Sequence, residues 1–200
     1  GQGMMGSVQT PRAPRIGALR SAAGALTSPA TLRAALRFVG TVVRDFFWPQ
    51  FSVELGIVKI KYIHVDHELD ARIPFRPEKI GAYLDFIAFW IRPIGQIRTH
   101  VGRAAERRHA VAFLDLLTTC YRQASEVYRA TMTTTRRPRD LRGRVPAIHL
   151  FDPHLLGVPS LHIMIVVATY TYHRRAFAEL GITVAAATAL DDELFAEAVE

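Results

Sequence analysis

Cysteine and lysine are scarce in this sequence, and their scarcity already excludes several classes of protein. The single cysteine, Cys120, excludes an internal disulfide framework and any zinc site built from several cysteines. No apolar run reaches the roughly 18–20 unbroken residues that mark a spanning helix, and neither an internal repeat nor a glycine-rich phosphate loop occurs. Half of the 200 residues are nonetheless hydrophobic, which excludes intrinsic disorder. The composition is compatible with two classes of protein: a hydrophobic soluble domain and a membrane protein with long polar loops.

Basic residues are almost all arginine, 22 against 3 lysines, and they are clustered. Residues 1–44 contain six arginines and no acidic residue, and residues 129–144 contain six arginines and one aspartate. The last ten residues are acidic instead. A GC-rich genome is one explanation of the arginine bias. The guanidinium group also offers a fork of donors that fits phosphate, so the clusters suggest a phosphate ester, a membrane headgroup or nucleic acid as partner.

The chain divides into a basic arm and a helical domain. Residues 1–30, rich in small residues, Pro and Arg, are predicted to form a flexible N-terminal arm, and residues 31–200 the domain. A helix is predicted to start at Ser28 and Pro29 and to end before Pro49. Residues 51–63 fit either a strand or a helix. Further helices are predicted over residues 79–91, 104–128, 161–172 and 182–198. The first of these is predicted to stop near Pro93.

A serine and a histidine stand at the start of the most apolar helix, in Pro159-Ser160-Leu161-His162. Backbone amides and the positive end of the helix dipole suit an anion at such a place. Ser160 would then donate to a phosphate oxygen, and His162 would protonate an alkoxide leaving group. The alternative is purely structural, with Ser160 as the helix N-cap and His162 as a core histidine.

Other segments accompany this one in a fixed order. Residues 70–77 read DARIPFRP, residues 133–138 read TTTRRP, and Leu150-Phe151-Asp152 precedes the serine–histidine segment. In this order the set resembles the type 2 phosphatidic acid phosphatase superfamily, and most of all its branch of inositol-phosphoceramide synthases and related lipid phosphotransferases. The resemblance covers roughly residues 66–172.

The resemblance implies a fold, a site and an activity. The fold would be an all-α, membrane-embedded helical bundle with an irregular Arg/Pro-rich loop before the Pro-Ser-Leu-His helix. Arg137 would clamp the substrate phosphate, with Ser160 hydrogen-bonded to it, and His162 would be the general acid. Arg136, beside Arg137, would add phosphate-binding charge. Neither a metal nor another cofactor would be needed, because fixed positive groups take that role.

Two departures from the family pattern stand in this sequence. Ala130 occupies the position of the lysine in the family's Lys-x6-Arg-Pro motif, with Arg129 one residue away. The nucleophilic histidine of the third family motif is missing, since His173, the only histidine after His162, comes too early. Either the third motif lies beyond residue 200, which the start at Gly1 favours, or the protein is a degenerate relative.

Three further features of the sequence carry weaker signals. Residues 64–70 hold several potential metal ligands but also fit a solvated loop, and no metal site is predicted there. His149, Asp152 and His154 flank the predicted site and could assist it. Cys120 is predicted to be a buried, inert thiol.

The predicted function is that of a multi-pass membrane enzyme, a lipid phosphatase or phosphotransferase acting on a phospholipid or sphingolipid phosphate. Two other classes are kept. One is a non-catalytic relative that binds phospholipid or serves as a scaffold. The other is a soluble, basic, helical nucleic-acid-binding protein, which ranks third because no aromatic residues interleave with the arginines of residues 129–144.

Overall fold

The computed structural model describes residues 22–24, 26–65, 80–134 and 155–182, and for residues 80–88 the description extends to the backbone only. The described chain is mostly helical, as predicted. Its helices are α1 (Pro29–Val42), α2 (Trp48–Glu54), α3 (Ile80–Val101), α4 (Arg103–Ala130) and α5 (Leu161–Glu179), with a π-helical turn, Val43–Phe47, between α1 and α2. Its two strands are β1 (Tyr62–His64) and β2 (Met132–Thr134). The helix predicted over residues 182–198 lies outside the described residues.

The first predicted helix begins where the sequence indicates but continues past its predicted end. Ser28 occupies the N-cap position and Pro29 the first turn of α1, although the Ser28 side chain makes no capping hydrogen bond. The chain then stays helical through the π-helical turn into α2, with Pro49 in the first turn of α2. Pro49 comes directly after the π-helical turn, where the regular i to i−4 hydrogen bonds are already interrupted, so the helix tolerates its missing N–H. The prediction that the helix ends before Pro49 is therefore wrong.

Pro93 lies inside α3, which runs to Val101, so the predicted stop near Pro93 is also wrong. Phe89, Ile94 and Ile97, on either side of this proline, are almost fully buried in the core. Burial of this apolar face opposes the local cost of a proline in a helix interior, which is about 3 kcal/mol. The helix predicted over residues 104–128 is confirmed as α4.

The core forms where α4 packs against α1, α3 and α5. Large side chains of α4, among them Phe113, Leu117 and Tyr128, are buried against Ile165 and Phe177 of α5. Cys120 is buried in α4, as predicted, and burial raises the pKa of its thiol. In the part of the chain that the structure describes, no helix has both the length and the apolar character needed to cross a bilayer.

Three short extended segments run parallel beside the helices. β1 pairs with β2 in parallel, with Tyr62 opposite Met132 and His64 opposite Thr134. On the other side of β2, Thr133 forms a parallel bridge with Leu156. Residues 51–63 were compatible with either a helix or a strand, and the structure contains part of each. Helix α2 ends at Glu54, and strand β1 begins at Tyr62. Within residues 129–158, which were predicted to be irregular, Met132–Thr134 is a strand and residues 135–154 lie outside the description.

Candidate functional site

The segments that carry the sequence motifs are joined through Thr133. Its backbone N–H donates to the carbonyl of Leu155 at 3.0 Å, and its carbonyl accepts from the N–H of Gly157 at 3.0 Å. Its hydroxyl accepts from the N–H of Val158 at 2.6 Å. β2 is therefore bonded to the residues that lead directly into Ser160 and His162.

The three parallel segments end on one side. β1 continues to Val65, β2 ends at Thr134, and the third segment continues through Val158 to Ser160. Because the carboxyl ends of parallel strands meet at the same edge, ligands tend to bind where such segments end. Residues 70–77 follow β1 in the sequence, and Arg136 and Arg137 follow β2. All three lie outside the described residues, so their positions relative to Ser160 are not described.

Ser160 is the N-cap of α5, as the structural reading predicted. Its backbone is extended, and its side-chain oxygen accepts a hydrogen bond from the N–H of Ile163 at 3.4 Å. The first-turn amides of a 19-residue helix point toward this end and give it a partial positive charge. Because the hydroxyl oxygen is the acceptor in this capping bond, its own proton stays available for a second partner. Capping and anion binding by Ser160 are thus compatible.

His162 lies in the first turn of α5, two residues from Ser160, and is half-buried. Burial lowers the pKa of its imidazole below the ordinary 6.5. At neutral pH the ring is therefore neutral in this environment. A bound phosphate would oppose this shift, because a neighbouring negative charge favours the protonated imidazole.

The turn before Ser160 is held from two sides by residues that sequence reasoning missed. The hydroxyl of Tyr128 donates to the carbonyl of Pro159 at 2.6 Å, and burial raises the pKa of Tyr128 to about 12, so the hydroxyl keeps its proton. The buried side chain of Gln50 accepts from the N–H of Leu155 at 3.2 Å. Both contacts join positions far apart in the chain, so local sequence pattern holds no signal for them. The Val158–Pro159 peptide bond between them is cis.

Arg129, the arginine nearest to the family's lysine position, is engaged elsewhere. Its Nη2 donates to Asp45 Oδ1 at 2.7 Å, while Arg44 donates to both Asp45 oxygens at 2.9 and 2.6 Å. The Asp45 side chain is almost fully buried, and its hydrogen bonds from Arg44, above all, lower the pKa of the carboxyl. Arg129 therefore ties the end of α4 to the π-helical turn.

His173 is fully buried in α5 and packs against Phe113 at 4.6 Å between ring centroids. Burial first, and the nearby His109 second, lower the pKa of His173 to about 3. A ring with no access to solvent is not placed to attack a phosphate. The prediction that His173 is not the family's nucleophile stays consistent with this position.

Of the predicted metal-capable residues, His64 is exposed at the end of β1, and residues 66–70 lie outside the described part. Among the described residues, no group of three or more His, Cys, Asp or Glu side chains could hold a metal ion. His149, Asp152 and His154 also lie outside the description. The residues that the structure places at one site are thus Ser160 and His162, with Thr133, Tyr128 and Gln50 supporting the turn before them.

No model of a known protein family, no curated protein and no solved structure matches this chain.

Proposed function

We propose that this chain binds the phosphate of a lipid phosphate ester at the start of α5 and acts as a lipid phosphatase or phosphotransferase. The observation that supports this most is the hydrogen bonding of Thr133 to residues 155–158. It joins the strand that precedes Arg136 and Arg137 in the sequence to the turn that carries Ser160 and His162.

Phosphate binding is assigned to Ser160, Arg137 and Arg136. Ser160 and the first-turn amides of α5 offer donors at the positive end of the helix. Arg137 stands three residues after Thr134, and three residues of chain span at most about 11 Å. A chain of this length permits both guanidinium groups to reach the edge where β2 ends, and the proposal assigns them to that edge. A bidentate guanidinium and a helix N-terminus together stabilise the charge that spreads over the phosphoryl oxygens during transfer.

His162 is the proposed general acid. In the substrate complex, the negative charge of the phosphate raises the imidazole pKa, so the ring takes up a proton that it lacks without a ligand. That proton then passes to the leaving alkoxide of the lipid alcohol as the P–O bond breaks. In hydrolysis a water oxygen, and in transfer the hydroxyl oxygen of an acceptor alcohol, forms the new bond to phosphorus as the old P–O bond breaks.

The membrane-embedded, multi-pass arrangement is proposed together with this activity and rests on the family resemblance alone. The substrate class is a phospholipid or sphingolipid phosphate, because the resemblance is to lipid phosphotransferases. No metal or other cofactor is part of the proposal.

The test is phosphate release from a short-chain phosphatidic acid by the wild-type chain and by Arg137→Ala and His162→Ala. Each variant is expected to lose at least about 100-fold in turnover, since a general acid alone contributes 10²–10⁴. His100→Ala, which replaces an exposed histidine near the end of α3, is the matched control and keeps the wild-type rate. Equal turnover in all four proteins contradicts the proposed roles.

Binding of inorganic phosphate, measured by calorimetry in the same proteins, separates the enzyme from its alternatives. Binding that depends on Arg137 without any turnover favours the non-catalytic phospholipid-binding protein. Binding of an oligonucleotide that weakens steeply with salt, with no turnover, favours the nucleic-acid-binding protein.

A further inference from the structure

Helix α1 has an apolar stripe on the side that faces away from the core. The stripe consists of Leu32, Leu36 and Val39 of α1 and of Val43, the first residue of the π-helical turn. They follow each other at spacings of four, three and four residues, and each is between 44% and 63% exposed. This spacing places them on one face of a helix. Exposed apolar side chains scattered singly are ordinary, but a contiguous row of them marks an interaction surface.

The stripe is distinct from the face with which α1 packs on the protein. Thr31, Ala34 and Thr41 are the buried residues of α1, and they lie on the other side of the helix from the stripe. Among the residues that the structure describes, α1 thus packs through one face while the stripe stays exposed. Trp48, the first residue of α2, adds a 58% exposed aromatic ring just beyond Val43.

The charges beside the stripe are positive. Arg33, Arg37 and Arg44 are all exposed, and α1 contains no acidic residue. Arg37 is paired with the exposed Asp115 of α4, and Arg44 with Asp45, so both charges are partly balanced. Exposed Lys59 and Lys61 add further positive charge after α2.

We propose that this stripe lies on the surface of an anionic lipid bilayer, with α1 parallel to the membrane plane. Leucine and valine side chains enter the boundary between headgroups and acyl chains, as in interfacial amphipathic helices. The arginines contact lipid phosphates, and Trp48 lies at headgroup depth, where indole rings concentrate. The proposal concerns the surface of α1 and rests neither on the phosphoryl-transfer activity nor on the multi-pass arrangement, which would make the chain sediment with neutral and anionic vesicles alike.

The charge pattern favours a lipid surface over a second copy of the chain. A symmetric pair of copies joined through the stripe brings the same face of α1 together twice. Arg33 of one copy would then lie near the positive charges of the other, while Asp115 and Asp45 are already engaged by Arg37, Arg44 and Arg129. An anionic bilayer supplies the missing negative charge.

The test is co-sedimentation of the 200-residue chain with vesicles of phosphatidylcholine alone and of phosphatidylcholine mixed equally with phosphatidylglycerol. The wild-type chain is expected to bind the mixed vesicles at least about tenfold more tightly, because several arginines each gain from the anionic surface. The double variant Leu36→Gln/Val39→Gln is expected to lose at least about tenfold of that binding. Since both side chains are exposed, its helix content and melting temperature should match those of the wild type.

Val167→Gln is the matched control, because Val167 is 57% exposed on α5, away from the stripe. It should bind the mixed vesicles like the wild type. Equal binding by the α1 double variant, or equal affinity for neutral and anionic vesicles, overturns the proposal. So does a wild-type dimer in lipid-free solution that the α1 double variant converts to a monomer, because the stripe would then pair two copies.

Discussion

The hydroxyl of Tyr128 donates a hydrogen bond to the carbonyl of Pro159 at 2.6 Å, across 31 positions of sequence. Tyr128 is almost fully buried near the end of α4, and Pro159 immediately precedes the N-cap of α5. The bond therefore fixes the start of one helix to the end of another. It sets where Ser160 and His162 stand relative to the strand that leads toward Arg137.

Tyr128→Phe removes this bond while keeping the ring in the core. We expect the free energy of unfolding to fall by about 1 kcal/mol, the usual net value of a neutral hydrogen bond. Urea denaturation followed by circular dichroism measures it. Tyr62→Phe, whose ring is half exposed on β1, is the control and should leave stability unchanged. Equal effects of the two variants would mean that the Pro159 contact contributes nothing.

Asp45→Asn tests the buried carboxylate that Arg44 and Arg129 share. The neutral amide removes the charge from all three hydrogen bonds that Asp45 accepts from Arg44 and Arg129. We expect the free energy of unfolding to fall by about 1–2 kcal/mol, because the two guanidinium groups face solvent and part of the attraction is screened. Asp115→Asn removes a pair of the same 2.7 Å length between two exposed side chains, Arg37 and Asp115. It should cost less than about 0.5 kcal/mol. If the two variants lose similar amounts of unfolding free energy, the buried carboxylate of Asp45 stabilises the fold no more than the exposed one of Asp115.

Ser160 has a capping role that is observed and a phosphate-binding role that is proposed, and two substitutions separate them. Ser160→Ala removes the cap and should lower stability by about 1 kcal/mol. Ser160→Asp keeps a capping oxygen and favours the helix dipole, so stability should stay close to wild type. Its carboxylate repels phosphate, so binding of inorganic phosphate, measured by calorimetry, should fall by at least about tenfold. Unchanged phosphate binding in Ser160→Asp would remove Ser160 from the proposed site.

The helix starts and the long amphipathic segment were predictable because they depend on local chemistry. Pro29 in a first turn and the apolar spacing of residues 104–128 act within a few residues of chain, and the structure confirms both. Pro49 and Pro93 misled the prediction of helix ends. Their local effect was offset by the π-helical turn directly before Pro49 and by the burial of the helix around Pro93.

The strands and the supports of the site were not predictable for the opposite reason. β1 and β2 have three residues each, and their pairing joins Tyr62 to Met132 across 70 positions. Burial of Asp45 depends likewise on Arg129, 84 residues away. Such contacts are decided by how helices pack. Sequence pattern did locate Ser160 at a helix start, because a cap is a local feature.

His173 makes the stability of the fold depend on pH. Burial lowers the pKa of His173 to about 3 in the folded protein, against an ordinary 6.5. Below pH 6.5, His173 is therefore protonated in the unfolded chain but stays neutral in the folded chain. The free energy of unfolding falls as the pH falls from about 6.5 toward 3. At 1.36 kcal/mol per pKa unit, the loss between pH 7 and pH 4.5 should be about 2–3 kcal/mol. Urea denaturation across this range measures it.

His173→Leu isolates this contribution, because leucine fills an apolar site without titrating. The variant should lose much less stability between pH 7 and pH 4.5 than the wild type, leaving the smaller effects of His109 and His162, whose pKa values burial also lowers. Asp45 does not interfere, since its pKa is lowered from 3.8 and its contribution is lost only at more acidic pH. His100→Gln, on the exposed end of α3, should keep the wild-type slope. A wild-type stability that stays flat to pH 4.5 would show that the His173 ring meets solvent and binds its proton in the folded state.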